Sequence, residues 1–265
     1  MNIGIDAGGT LTKIVLDAPS GRVFYKRNSS EYTELIKELN TDYPDANYFV
    51  TGGKSSLFAS QLSGKVKTLE EFDATFAGLK RILKEANIDI DRFVYLNVGT
   101  GTSIHVAEND AQTRIGGSGV GGGTFIGLSQ LLVGESDFDT LVRLSAEGNR
   151  DHVDLKVKHI YGDEEPPIPG DFTASNFAYV LNDPSNITAA DKVQAVAGLV
   201  AETVMTIGLT IGAARDIKNI VLIGSTLTNN DVMHEIIHRY GQMLSANTYI
   251  VEQGEFSGAL GAIYV

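Results

Sequence analysis

The chain has 265 residues, 43% of them apolar and 20% charged, a composition that suits a soluble globular protein of one large domain or two modest ones. Its net charge of −12 argues against a nucleic-acid backbone or an anionic membrane as partner. The absence of cysteine removes disulfides, thiolate zinc sites, iron–sulfur clusters and cysteine nucleophiles together.

Ile3 to Ile5 reads as a buried strand with Asp6 at its end, Gly8-Gly9-Thr10 as a tight turn, and Lys13-Ile14-Val15-Leu16 as the start of a second strand. Without a Cβ, the backbone can approach phosphate oxygens and offer its N–H groups as an anion nest. A carboxylate beside such a nest can hold Mg2+, directly or through water. On this segment alone, a plain Gly-Gly hairpin accounts for the residues equally well. No basic region or cleavage site precedes the strand, so a cytoplasmic protein is expected.

Arg22 to Arg27 reads as an edge strand, and Glu31 to Leu39 as a helix with Ser29 and Ser30 as candidate caps. Tyr48 to Thr51 forms a short strand ending in Gly52-Gly53. From Glu71 to Ala86 the spacing predicts a helix with Phe72, Phe76, Leu79 and Leu83 on one apolar face. Arg92 to Leu96 and Ser103 to Ala107 are strands around the turn Asn97-Val98-Gly99-Thr100-Gly101-Thr102. That unit echoes the first, with Asn in place of Asp and one residue inserted. Two phosphate-type turns favour a ligand over two unrelated hairpins.

Six of the eight positions 116–123 are glycine, and they lead into an apolar helix from Thr124 to Val133. Free N–H groups at a helix start suit an anion, the alternative being a flexible linker. A rigid loop, Pro166-Pro167-Ile168-Pro169, follows the acidic Asp163-Glu164-Glu165. Ala195 to Ala214 carries a single charge, Glu202, and approaches membrane-spanning length. Its glycines, and the cost of a carboxylate in lipid, favour a buried helix packed through Gly198, Gly208 and Gly212. Asn219 to Ile223 is a buried strand ending in Gly224-Ser225-Thr226, where α/β sheets bind ligands. His234-Glu235-Ile236-Ile237-His238 matches a zinc-protease pattern, yet no third ligand is evident and the glycine turns stay unexplained. Gly258, Ala259, Gly261 and Ala262 recur at helical spacing and suit close backbone packing.

In this order the pieces resemble the actin-like, sugar-kinase and heat-shock ATPase superfamily, and within it the type II pantothenate kinases. The segments that carry the resemblance are Asp6 to Lys13, Glu71 to Ala74, Asn97 to Ser103, Arg114 to Gly117 and Glu165 to Asp171. It implies an α/β fold of two ribonuclease-H-like lobes with a nucleotide cleft between them. Residues 1–113 would hold the phosphate loops and the catalytic glutamate; residues 114–265 would hold the Gly-rich loop, the adenosine loop and the dimerisation surface. The implied reaction is Mg-ATP-dependent phosphorylation of the terminal hydroxyl of pantothenate, the first step toward coenzyme A.

The resemblance also implies roles. Asp6 orients Mg2+, and Ala7, Gly8, Gly9, Thr10, Leu11, Thr12 and Lys13 surround the phosphates. Thr100 lies in the second phosphate loop, Gly122, Gly123, Thr124, Phe125, Ile126 and Ser225 line the nucleotide, and Phe138 neighbours the base. Glu71 accepts the hydroxyl proton, and Arg114 holds the substrate with it. Glu71 is preferred to Glu70 because the resemblance sets Glu-Phe-Asp-Ala at 71–74, and the apolar face is expected to fix Phe72 in that register. A homodimer is implied, with neither nucleic acid nor membrane as partner. Two rival readings remain: a sugar or amino-sugar kinase of this fold, and a non-enzymatic actin-like nucleotide module, which has no need of Glu71 or Arg114. Many of those sugar kinases carry a cysteine zinc cluster, which this chain cannot form.

Overall fold

Apolar side chains from Asn2 to Ala18 anchor an antiparallel hairpin of β1 (Asn2–Ala7) and β2 (Leu11–Ala18), with Ile3, Ile5, Ala7 and Ile14 fully buried. It belongs to a computed structural model that describes residues 1–182 and 186–265. The chain forms two compact units. The first comprises residues 1–91, 107–114 and 251–265, and the second residues 92–106 and 115–250.

In the first unit a five-stranded sheet runs in the order β3-β2-β1-β4-β5, adding β3 (Gly21–Asn28), β4 (Asn47–Thr51) and β5 (Lys65–Thr68). The first three strands form an antiparallel meander, and β4 and β5 continue parallel to β1. Helices α1 (Tyr32–Asp42) and α2 (Ser55–Ala59) contribute Leu35, Leu39 and Phe58 to a core with Ile3, Ile5 and Tyr48. Helix α3 (Glu71–Glu85) packs instead on the C-terminal helix α9 (Ser257–Tyr264), which also lies against β1. The approach is backbone to backbone. A Cβ at Gly78 would overlap the Ser257 carbonyl, and one at Gly4 the Ala259 carbonyl. The small-residue spacing at the C-terminus therefore binds β1, α9 and α3 into one block.

The second unit holds a sheet of order β12-β11-β6-β7-β8, from β6 (Arg92–Val98), β7 (Thr102–Glu108), β8 (Ala111–Ser118), β11 (Asn219–Ile223) and β12 (Asn247–Ile250). The tip of the β7–β8 hairpin, residues 107–114, counts with the first unit. Strand β11 runs parallel to both β6 and β12. The helices are α4 (Gly122–Val133), α5 (Phe138–Ala146), the short α6 (Val157–Tyr161), α7 (Ala189–Arg215) and α8 (Asp231–Met243), with a small ribbon of β9 (Leu155–Lys156) and β10 (Thr173–Ser175).

Helix α7 is long and apolar enough to cross a membrane by composition, but most of its apolar stretch is buried against α4, α5 and α8. Its one mid-helix charge is compensated inside the protein. Glu202 lies 2.9 Å from the Arg150 guanidinium and accepts hydrogen bonds from Thr173 Oγ1 (2.7 Å) and Asn176 Nδ2 (3.1 Å). A buried carboxylate so paired belongs to a protein core.

The compact units are discontinuous along the chain, because β6 pairs with β11 and the C-terminal helix returns to β1. Other expectations are displaced. Ser29 and Ser30 cap no helix; Asn28 accepts the Ser30 N–H, and a 3-10 turn at Ser29–Glu31 precedes α1. Arg114 to Gly117 lie within β8, so the glycine-rich loop begins later than expected. Phe72 is 38% exposed, whereas Phe76 and Leu79 are 7% and 0%. It stands in the first turn of α3, beyond the end of the packed face.

Candidate active site

The β1–β2 register sets Asp6 opposite Lys13, so both side chains emerge on one face. Lys13 Nζ lies 3.3 Å from Asp6 Oδ2. The Gly8 N–H donates to the Asp6 carbonyl at 3.1 Å and closes the turn. Ser29 then holds it from outside: its Oγ donates to the Gly8 carbonyl (2.8 Å) and its N–H to the Thr10 carbonyl (2.9 Å). No sequence pattern marks this serine as a site residue.

Gly9 and Thr10 are exposed at the turn, while Ala7 and Thr12 are fully buried. Thr12 Oγ1 lies 3.2 Å from Ser29 Oγ, so its hydroxyl serves the turn rather than facing a ligand. Leu11 is half-buried.

Behind the turn, the start of α9 backs the Asp6 carboxylate. A Cβ at Gly258 would stand 3.1 Å from Oδ2, closer than carbon and oxygen pack comfortably. Among the described residues no group of three or more His, Asp or Glu side chains could hold a metal unaided. One carboxylate beside an exposed glycine turn fits Mg2+, which takes one or two carboxylates and completes its shell with phosphate oxygens and water.

Glu71 is the first residue of α3, and Glu70 before it is the extended N-cap outside the helix. Protein atoms around the Glu71 carboxyl raise its pKa, and the Asp6 charge raises it further, with Lys13 opposing both. Asp6, Lys13 and Glu71 are thus one electrostatic cluster within the first unit. On β8, the exposed Arg114 guanidinium lies over the Phe72 ring, 5.3 Å from its centroid.

In the second unit three loops meet. The Gly99 carbonyl accepts from Gly122 N and Thr226 Oγ1, and the Thr100 carbonyl accepts from Gly123 N, each at 2.8 Å. Gly224, at φ +113°, passes so close to β6 that a Cβ would overlap the Val98 carbonyl. The expectation of free amides at the start of α4 fails for Gly122 and Gly123. Their N–H groups are already spent on loop 99–100, and of the two only Gly123 is exposed, Gly122 being buried against Thr226.

Phe125 is fully buried and meets Phe138 edge-on at 6.0 Å, so its ring faces the core. Thr124, Ile126 and Phe138 remain partly accessible, and Ser225 opens the 3-10 turn after Gly224. Thr226 was not singled out by the sequence reading, although its hydroxyl ties two of the three loops.

The zinc-protease pattern is otherwise occupied. His234 Nε2 lies 2.7 Å from the Leu227 carbonyl, His238 Nδ1 lies 2.7 Å from Thr248 Oγ1, and Glu235 pairs with Arg239. A cavity of about 340 Å³ bounded by Arg150, Lys156, Glu202 and Tyr240 also lies in the second unit. Arg150 on its wall is already paired with Asp154 and Glu202.

A family model described as Fumble matches residues 22–265. The chain is 42% identical over 270 residues to the type II pantothenate kinase of Staphylococcus haemolyticus (strain JCSC1435), covering all of both chains. It is 42% identical over 267 residues to that of Staphylococcus saprophyticus subsp. saprophyticus, again over both full lengths. Among solved structures it is similar to the activator of the 2-hydroxyisocaproyl-CoA dehydratase from Clostridium difficile, solved with bound ADPNP. That likeness has a TM-score of 0.63 at 16% identity, covering 99% of this chain and 92% of that one. At such identity it bears on the fold, which is that of the actin-like ATPases and sugar kinases.

Proposed function

The chain belongs to the type II pantothenate kinase family, and on that premise we propose that it transfers the γ-phosphoryl group of ATP to the terminal hydroxyl of pantothenate. The observation that carries this reading is the cluster of Asp6, Lys13 and Glu71 at one glycine turn. It combines a metal-orienting carboxylate, a cation for phosphate charge and a carboxyl group with an upward-shifted pKa.

In the proposed reaction the hydroxyl oxygen of pantothenate attacks the γ-phosphorus. As that bond forms, the hydroxyl proton passes to Glu71, and the bond to the β–γ bridging oxygen breaks to release ADP. Lys13 and the exposed Gly9-Thr10 part of the turn stabilise negative charge on the phosphates, the Gly8 amide already donating to the Asp6 carbonyl. Asp6 would hold Mg2+, which supplies charge neutralisation at the β- and γ-phosphates when bound. Arg114 holds the acceptor so that its hydroxyl faces Glu71. In the second unit, Thr100, Gly123, Thr124, Ile126, Ser225 and Phe138 are the residues proposed for nucleotide contact. The product is 4'-phosphopantothenate, formed in the cytoplasm by a homodimer as the first step toward coenzyme A.

ADP release measured in parallel with pantothenate, pantetheine, glucose and N-acetylglucosamine tests the proposal. Stimulation by pantothenate is expected; stimulation by a sugar alone would move the chain to the sugar-kinase reading. Nucleotide-dependent sedimentation without acceptor-stimulated turnover would favour a non-enzymatic module.

A further inference from the structure

The ring of Phe72 stands partly exposed in the first turn of α3. Phe76 and Leu79 on the same helical face are 7% and 0% exposed, yet Phe72 stands 38% exposed. The Arg114 guanidinium carbon lies 5.3 Å from the Phe72 ring centroid, inside the roughly 6 Å range of a cation–π contact. Among the described residues, Arg114 pairs with no carboxylate.

We propose that Phe72 is a positioning residue for Arg114, fixing the guanidinium so that its donors are directed at the acceptor substrate. This rests on the reading that Arg114 holds that substrate. An arginine side chain free in solvent spreads over many rotamers, and binding must select one of them. A carboxylate could fix it, but only by consuming the N–H groups the substrate needs. An aromatic face holds the guanidinium through its π-surface and leaves the in-plane N–H fork unspent. The peptide bond between Glu71 and Phe72 makes the arrangement economical. One turn of α3 carries the proton acceptor on one residue and the arginine platform on the next.

A cation–π contact at an exposed site corresponds to about a two- to fivefold change in binding. The test is a double-mutant cycle, measuring KM and kcat for pantothenate in Phe72→Leu, Phe72→Tyr, Arg114→Met and the Phe72→Leu/Arg114→Met double variant. Phe72→Leu is expected to raise KM by about two- to fivefold with little change in kcat, and Phe72→Tyr to retain the wild-type KM. In the Arg114→Met background, Phe72→Leu should add nothing further. An equal effect of Phe72→Leu in both backgrounds would overturn the inference, because the ring would then act without the arginine. A large effect of Arg114→Met beside an inert Phe72→Leu would overturn the inference alone. An inert Arg114→Met would overturn the substrate-holding reading as well.

Discussion

Lys13 stands directly across the first hairpin from Asp6, with its Nζ 3.3 Å from Oδ2. A slip of one residue in that register would send the two side chains to opposite faces of the sheet. Burial of Ile3, Ile5 and Ile14 on the other face prevents the slip, so core packing sets the charge pair. Asp6→Asn is expected to lower kcat by about 10²- to 10³-fold while leaving pantothenate binding intact. Turnover and isothermal titration of pantothenate check both halves; unchanged turnover would remove Asp6 from the reaction.

Glu71 makes a prediction about pH. Burial first, and then the Asp6 charge, push its pKa above the ordinary glutamate value, against the pull of Lys13. A proton acceptor works only when deprotonated, so kcat/KM for pantothenate should fall on the acid side at a higher pH than an ordinary glutamate would give. Lys13→Met removes the opposing influence and should move that limb to higher pH. The pH–rate profiles of the two proteins measure it; a limb that moves to lower pH would contradict the assigned electrostatics.

Gly78→Ala tests the block that carries Glu71. The added methyl overlaps the Ser257 carbonyl, so helices α3 and α9 must separate. Overpacking of this kind costs about 1–3 kcal/mol. For a chain of this size, each lost kcal/mol lowers the thermal midpoint by roughly 2–4 °C. A melting curve should show that drop, with kcat reduced as the start of α3 shifts.

Much of this was legible locally, because it depends on short-range pattern. The first hairpin, α3, the β6–β7 turn, the buried α7 and β11 all follow from apolar spacing and glycine placement. Strand β5 was not anticipated, since Lys65-Val66-Lys67-Thr68 is an edge strand with one partly buried apolar residue. Ser29 was hidden for a different reason: its hydroxyl acts on Gly8, 21 residues away, and no periodicity encodes that. The same holds for Gly122 and Gly123, whose amides look free in sequence but are taken by carbonyls of another loop. Phe72 matched the helical spacing, yet the spacing does not say where the packed face ends.

The Arg150–Glu202 pair gives a stability prediction. Both side chains are buried, and the Arg150 guanidinium also pairs with Asp154. Arg150→Met leaves buried Asp154 without its ion-pair partner and Glu202 with only Lys156, 4.0 Å away, at a cost of about 3–5 kcal/mol. Denaturant unfolding should show this loss, and it should be smaller when Glu202→Gln is combined with Arg150→Met.

The most direct measurement of the central claim is turnover of Glu71→Gln beside Glu70→Gln, with pantothenate and Mg-ATP. Glu71 lies at the head of α3, in electrostatic contact with Asp6 and Lys13, while Glu70 is the cap residue before it. Glu71→Gln should lose about 10²- to 10⁴-fold in kcat, and Glu70→Gln should turn over as the wild type does. An inactive Glu70→Gln beside an active Glu71→Gln would contradict the account at its centre.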